Sequence, residues 1–88
     1  MSTHYFIHKK IELDGEWELH ADTKSQSKAH RELYKLLKPT QKKYNYTMYT
    51  AYDTETGETE VAKLQRGDKF ETKAKQIVIK NTKLLTNA

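Results

Sequence analysis

Ala29, Leu33, Leu36 and Leu37 recur at three- and four-residue spacing between Thr23 and Lys38, and Pro39 follows at once. At about 100° per residue these four share one side of a helix. Proline ends it, because the residue before a proline disfavours the helical region. Thr23 with Gln26 fits a capping box, and Ser25 is a competing cap. The other side is cationic: Lys24, Lys28, Arg31, Lys35 and Lys38, continued by Lys42 and Lys43. A helix with one apolar side has to bury it against a second element, so the rest of the chain must supply a matching apolar surface.

The flanking segments read as strands. Tyr5, Ile7, Ile11 and Leu13 alternate with polar residues, as do Trp17, Leu19 and Ala21, and Asp14-Gly15 between them signals a hairpin. A three-residue loop, Leu13-Asp14-Gly15, sets Ile11 beside Trp17, Lys9 beside Leu19 and Ile7 beside Ala21, and so gathers the apolar set on one face. A two-residue loop splits that set. Because register assigns whole sets of side chains to a face, the three-residue loop is expected, with Gly15 in the left-handed region. After the helix, Tyr44 to Asp53 is a tyrosine-dense strand, Thr54 to Gly57 a turn and Glu58 to Gln65 its return. Arg66-Gly67-Asp68 reads as a further turn. From Thr72 onward two readings stand. Gln76-Ile77-Val78-Ile79-Lys80 has the β-branched content of a strand. Ala74, Ile77, Val78, Leu84 and Leu85 also match helical spacing, with Thr72 as a cap.

The expected architecture is α+β: two antiparallel hairpins flank one central helix in the order β-β-α-β-β, followed by a C-terminal strand or helix. The expected core is Tyr5, Ile7, Ile11, Trp17, Leu19, Ala29, Leu33, Leu36, Leu37, part of the tyrosine strand, and Ile77 with Ile79. The apolar fraction of 35% against 32% charged residues leans toward disorder. Six tyrosines, two phenylalanines and one tryptophan oppose it, since aromatic rings bury large areas. At 88 residues the chain is expected to form one domain, 1–88. A chain of this size buries only roughly 60% of its unfolded surface and has a small core.

Charge is unevenly spread. Residues 23–43 hold seven bases and one acid, Glu32. Residues 51–60 hold four acids (Asp53, Glu55, Glu58, Glu60) and no base, and from Val61 onward there are seven bases and two acids. The net charge of +4 therefore reads as a basic molecule with an acidic tip. A basic surface points to nucleic acid, an anionic membrane or an acidic protein as partner. A row of cations on a helix repels itself, and phosphates along a backbone relieve that repulsion. The row is lysine-rich, which favours backbone contact over base reading by bidentate arginine.

Other constellations are weaker. Tyr44, Tyr46, Met48 and Tyr52 share one strand face and Tyr49 the other; these tyrosines read mainly as core or core rim, or as stacking platforms for single strands. His4, His8 and His20 would share an outer face in the expected register, a spacing that suits a metal only with a further ligand such as Asp22. The acids at 53–60 lack calcium-loop spacing and read as a solvated turn. Three glycines, each in a turn, leave no phosphate-binding loop, and no nucleophile elbow or other catalytic constellation is present. No enzyme activity and no cofactor are expected. Absent cysteine excludes disulfides and thiolate metal sites, and fits a reducing compartment. No apolar run suits a signal peptide or a bilayer span, so a cytoplasmic protein is expected.

The hairpin followed by a helix opening on Thr23-Lys24 resembles the arm-binding domains of phage integrases over a few residues, and no site residue is carried over from it. The expected function is a small non-catalytic module contacting nucleic-acid backbone through Lys24, Lys28, Arg31, Lys35, Lys38, Lys42 and Lys43. The alternative is a phage-type inhibitor or accessory protein, for example an anti-defence or anti-CRISPR protein, that binds a host protein or ribonucleoprotein.

Overall fold

The computed structural model describes residues 2–70 and the backbone of 76–80. The elements are β1 (Thr3–Lys10), β2 (Glu18–Thr23), α1 (Gln26–Leu37), β3 (Tyr46–Asp53), β4 (Glu58–Gln65) and β5 (Gln76–Lys80). All strand pairs are antiparallel, and the five strands form one sheet in the order β2-β1-β3-β4-β5. The fold is α+β with the helix between the two hairpins, as expected. The strand reading of Gln76–Lys80 holds, while Thr72, Ala74, Leu84 and Leu85 lie outside the described residues. Since β2 and β3 both run antiparallel to β1, they are parallel to each other with β1 between them. Such a connection needs a dozen or more residues, and the 12-residue α1 with its flanks supplies them.

The helix is shorter than its periodicity. Ser25, not Thr23, is the cap: its Oγ accepts from Lys28 N at 3.2 Å, while Thr23 Oγ1 accepts from Ser25 N at 3.0 Å. A cap of this kind stabilises by about 1 kcal/mol. At the far end Lys38 is extended ahead of Pro39 (φ −58, ψ 132), and two groups from elsewhere satisfy the last carbonyls. Gln41 Nε2 donates to Leu36 O at 3.1 Å, and Gly67 N donates to Leu37 O at 2.8 Å.

The sheet face toward α1 holds the core. Ala29, Leu33, Leu36 and Leu37 meet Ile7 of β1, Tyr49 of β3 and Ala62 and Leu64 of β4, with Tyr5, Ala21, Tyr44, Ala51 and Phe70 at the margin. Tyr49 takes the core position on its strand. By alternation, Tyr46, Met48 and Tyr52 fall on the other face, and Tyr44 precedes the strand. That second face also carries Phe6, His8, Thr50, Thr59 and Val61. Phe6, His8, Met48, Thr50, Thr59 and Val61 are buried.

The first hairpin departs from its expected register. Ile7 does face Ala21, and Tyr5 faces Thr23, but a bulge then intervenes. His8 faces Leu19 and Lys9 faces Glu18, leaving His20 as the extra residue. The three-residue loop is not formed: pairing with β2 stops at Lys9↔Glu18, and the chain beyond it is held from the β3 side. Asn45 N donates to Lys10 O at 3.2 Å and Asn45 Nδ2 to Ile11 O at 2.8 Å. Residues 11–17 instead make a longer connection with a turn closed by Gly15 N to Glu12 O at 3.0 Å. The left-handed glycines are Gly57 and Gly67, not Gly15. Gly15 serves close approach: a Cβ there would lie 3.1 Å from Glu12 O. Consequently Ile11 (50% exposed) and Leu19 (47%) leave the expected core, Leu13 is 70% exposed, and Trp17 is only half-buried.

Candidate nucleic-acid interface

The buried quartet on one side of α1 fixes which side chains point outward. Lys28, Arg31 and Lys35 lie on the helix and are exposed. Because the cap falls on Ser25, Lys24 stands just before the helix, and Lys38 is its C-cap. Lys42 and Lys43 occupy the connection to β3, both exposed, with Lys43 Nζ 5.2 Å from the centre of the Tyr44 ring. The seven cations thus follow the helix from before its first turn to beyond its last. Lys35 in the last turn and Lys38 at the C-cap stand where the helix dipole is negative and favours positive charge.

These cations are not equivalent. Lys35 Nζ donates to Glu32 Oε2 at 3.1 Å, and His20 Nε2 donates to Glu32 Oε1 at 3.1 Å. Lys9 Nζ donates to His20 Nδ1 at 3.2 Å, which makes Nε2 the ring's donor. The Lys35 hydrogen bond holds the Glu32 carboxyl below the ordinary glutamate range, aided by His20 and opposed by partial burial. Lys35 is therefore partly neutralised in place. Among the described residues Lys24, Lys28 and Arg31 form no salt bridge with a carboxylate.

Two further groups join the surface. Arg66 Nη1 donates to Gln41 O at 3.0 Å and so sits with Lys42 and Lys43; local pattern marks it only as part of a turn, because its partner is 25 residues away. Tyr34 is 48% exposed and adjoins Arg31 and Lys38 at helical spacing, a signal that was readable. Its ring packs on His30 and Phe70, with centroids 6.3 and 6.4 Å apart.

Acidic groups bound this surface. In the β3–β4 turn Asp53 Oδ1 accepts from Glu55 N at 2.9 Å and Thr56 N at 3.2 Å, an ordinary Asx turn. It lies at the far end of the eight-residue β3 from Tyr46, about 23 Å away. Glu12, Asp14, Glu16 and Glu18 are exposed at the near end, so the molecule has a second acidic region besides its tip.

The histidines do not assemble as expected. His20 turns to the helix side and meets Glu32, whereas His4 pairs with Asp22 and stacks on Phe6 at 4.5 Å, and His8 is buried against Leu19 and Met48 in register. Burial holds the His8 pKa below the ordinary histidine range. Among the described residues no group of three or more His, Asp or Glu side chains is placed to hold a metal ion. Among the same residues no helix is long and apolar enough to cross a membrane. Comparison with protein-family models, with curated proteins and with solved structures gives no match.

Proposed function

We propose that this chain is a small non-catalytic binding module that contacts nucleic-acid backbone through Lys24, Lys28, Arg31, Lys35, Lys38, Lys42 and Lys43. The observation that supports it most is the asymmetry of α1. One side is anchored in the core by four buried residues, and the other presents Lys28 and Arg31 without carboxylate partners among the described residues. Their mutual repulsion is relieved by phosphate, with release of counterions. The test is binding of labelled DNA and RNA across a salt series. If about five phosphates are neutralised, the logarithm of affinity falls with the logarithm of salt at a slope of roughly −4 to −5. Reversing Lys28, Arg31 and Lys35 together to Glu is expected to abolish binding. Undetectable binding of both nucleic acids at low salt overturns the reading.

A second reading, a phage-type inhibitor or accessory protein acting on a host protein or ribonucleoprotein, draws support from Ile11, Leu13 and Leu19. Exposed apolar side chains clustered near one hairpin end suit a protein contact. A pull-down that retains one stoichiometric protein after nuclease treatment favours this reading over the first.

A further inference from the structure

Trp17, expected in the core, stands instead on the wall of a cleft of about 270 Å³ between the 11–17 connection and the ends of β3 and β4. Tyr46 lines the same cleft, and Lys10, Lys63 and Gln65 supply its polar lining. Lys10 Nζ lies 4.3 Å from the centre of the Trp17 ring and 5.8 Å from that of Tyr46, and it donates to Leu13 O at 2.8 Å. The connection is thereby clasped, and the two rings are held half-buried with area still open. Sites for drug-sized molecules run from about 300 Å³ upward, so this cleft suits one planar ring better than a large cofactor. A second depression of about 230 Å³ continues from it, sharing Tyr46 and Gln65 and adding Asn45 and Arg66. Arg66 is bonded to Gln41, beside Lys42 and Lys43. On the other flank the lining turns acidic, with Glu12, Glu16 and Glu18.

From this arrangement we infer that the cleft accepts a base of single-stranded nucleic acid, stacked against Trp17 and Tyr46. Aromatic rings with adjacent cations are the means by which single strands are held without sequence reading, and Lys63 is exposed for the adjoining phosphate. The charge pattern sets the route. Glu12, Glu16 and Glu18 repel the backbone on one flank, and Arg66 draws it the other way, toward Lys42 and Lys43. The inference deepens the backbone-binding reading by naming the strandedness of the ligand and a second point of contact, away from the helix.

The chain has one tryptophan, so its emission reports this cleft alone. The intact protein is titrated with a labelled oligothymidylate of ten nucleotides, with an abasic deoxyribose-phosphate strand of equal length and with a duplex, following anisotropy and Trp17 emission together. Oligothymidylate is expected to quench Trp17, while the abasic strand and the duplex bind without quenching. Trp17→Ala is expected to weaken oligothymidylate binding on the order of ten- to a hundredfold and to leave abasic-strand binding unchanged. Lys63→Glu, at an exposed position, weakens oligothymidylate binding in the same direction. Anisotropy that rises with no change in emission, or equal quenching by the abasic strand, overturns the cleft and leaves the backbone reading standing. Quenching that survives reversal of Lys28, Arg31 and Lys35 keeps the cleft and removes the helix. No binding by any of the three strands overturns both.

Discussion

The two hairpins of this sheet are built on opposite terms. In β3–β4 the turn governs the strands. Asp53 caps its own turn through Oδ1, Gly57 takes φ 76, and Gly57 N donates to Asp53 O at 2.8 Å, after which pairing runs unbroken from Tyr52↔Thr59 to Tyr46↔Gln65. In β1–β2 the neighbours govern the turn. Asn45 captures the carbonyls of Lys10 and Ile11, the connection lengthens to 11–17, and a bulge at His20 absorbs the mismatch. Both hairpins have a third strand beside them, since Thr54 N at the β3–β4 turn donates to Ser2 O at 3.0 Å just as Asn45 N donates to Lys10 O at the end of β1. What differs is that Asp53 and Gly57 close the second turn with their own atoms, whereas among the described residues no such closure ties Ile11 to Trp17.

That contrast is broken most severely in the core. Tyr49→Ala on β3 removes a ring buried among the helix leucines and is expected to cost about 3–5 kcal/mol. Leu19→Ala on β2, at an exposed position, is expected to stay within about 0.5 kcal/mol. Urea denaturation of both variants measures the gap, and equal losses would mean that Leu19 is buried after all.

The glycines sharpen the comparison at smaller scale. Gly57→Ala forces a Cβ into the left-handed region and is expected to cost about 1–2 kcal/mol. Gly15→Ala puts a Cβ 3.1 Å from the Glu12 carbonyl oxygen, so that turn must give by a few tenths of an ångström but no left-handed residue is strained, and a smaller loss of about 0.5–1 kcal/mol is expected. The same denaturation series decides it.

The third test concerns pH. His8 sits beside the bulge with Nδ1 unpartnered among the described residues, and its folded pKa is lowered by burial. The unfolded chain therefore binds its proton first as pH falls. Stability is full above the ordinary histidine pKa of about 6.5 and declines below it until the folded pKa is passed. His8→Leu is expected to flatten that part of the stability–pH curve, measured by thermal unfolding between pH 7.5 and 5. An unchanged slope would place the proton uptake elsewhere.

The same contrast explains what was legible in the chain. The buried side of α1 was, because Ala29, Leu33, Leu36 and Leu37 encode it by spacing alone, and the exposure of Lys28, Arg31 and Lys35 follows. The β3–β4 turn was, because Asp53 and Gly57 carry its chemistry locally. The departure of Ile11, Trp17 and Leu19 from the core was not. It goes with a bulge at His20 and with a hold on the Ile11 carbonyl by Asn45, 34 residues away, and alternation within β1 and β2 records neither. Arg66 and the Trp17–Tyr46 cleft were hidden for the same reason, since three separate segments build them.

The fastening of the last turn of α1 by Gln41 and Gly67 has a thermodynamic side. Both bonds reach the helix from chain beyond it, one from the connection to β3 and one from the exit of β4. The backbone from which the cations of α1 project is therefore tied to the same frame as the connection to β3 and the exit of β4. Under the proposed backbone-binding reading, association would not have to order the backbone of this end of the helix, the advantage of preorganisation. On that reading, a longer, looser 38–45 connection would keep every charge and yet bind more weakly.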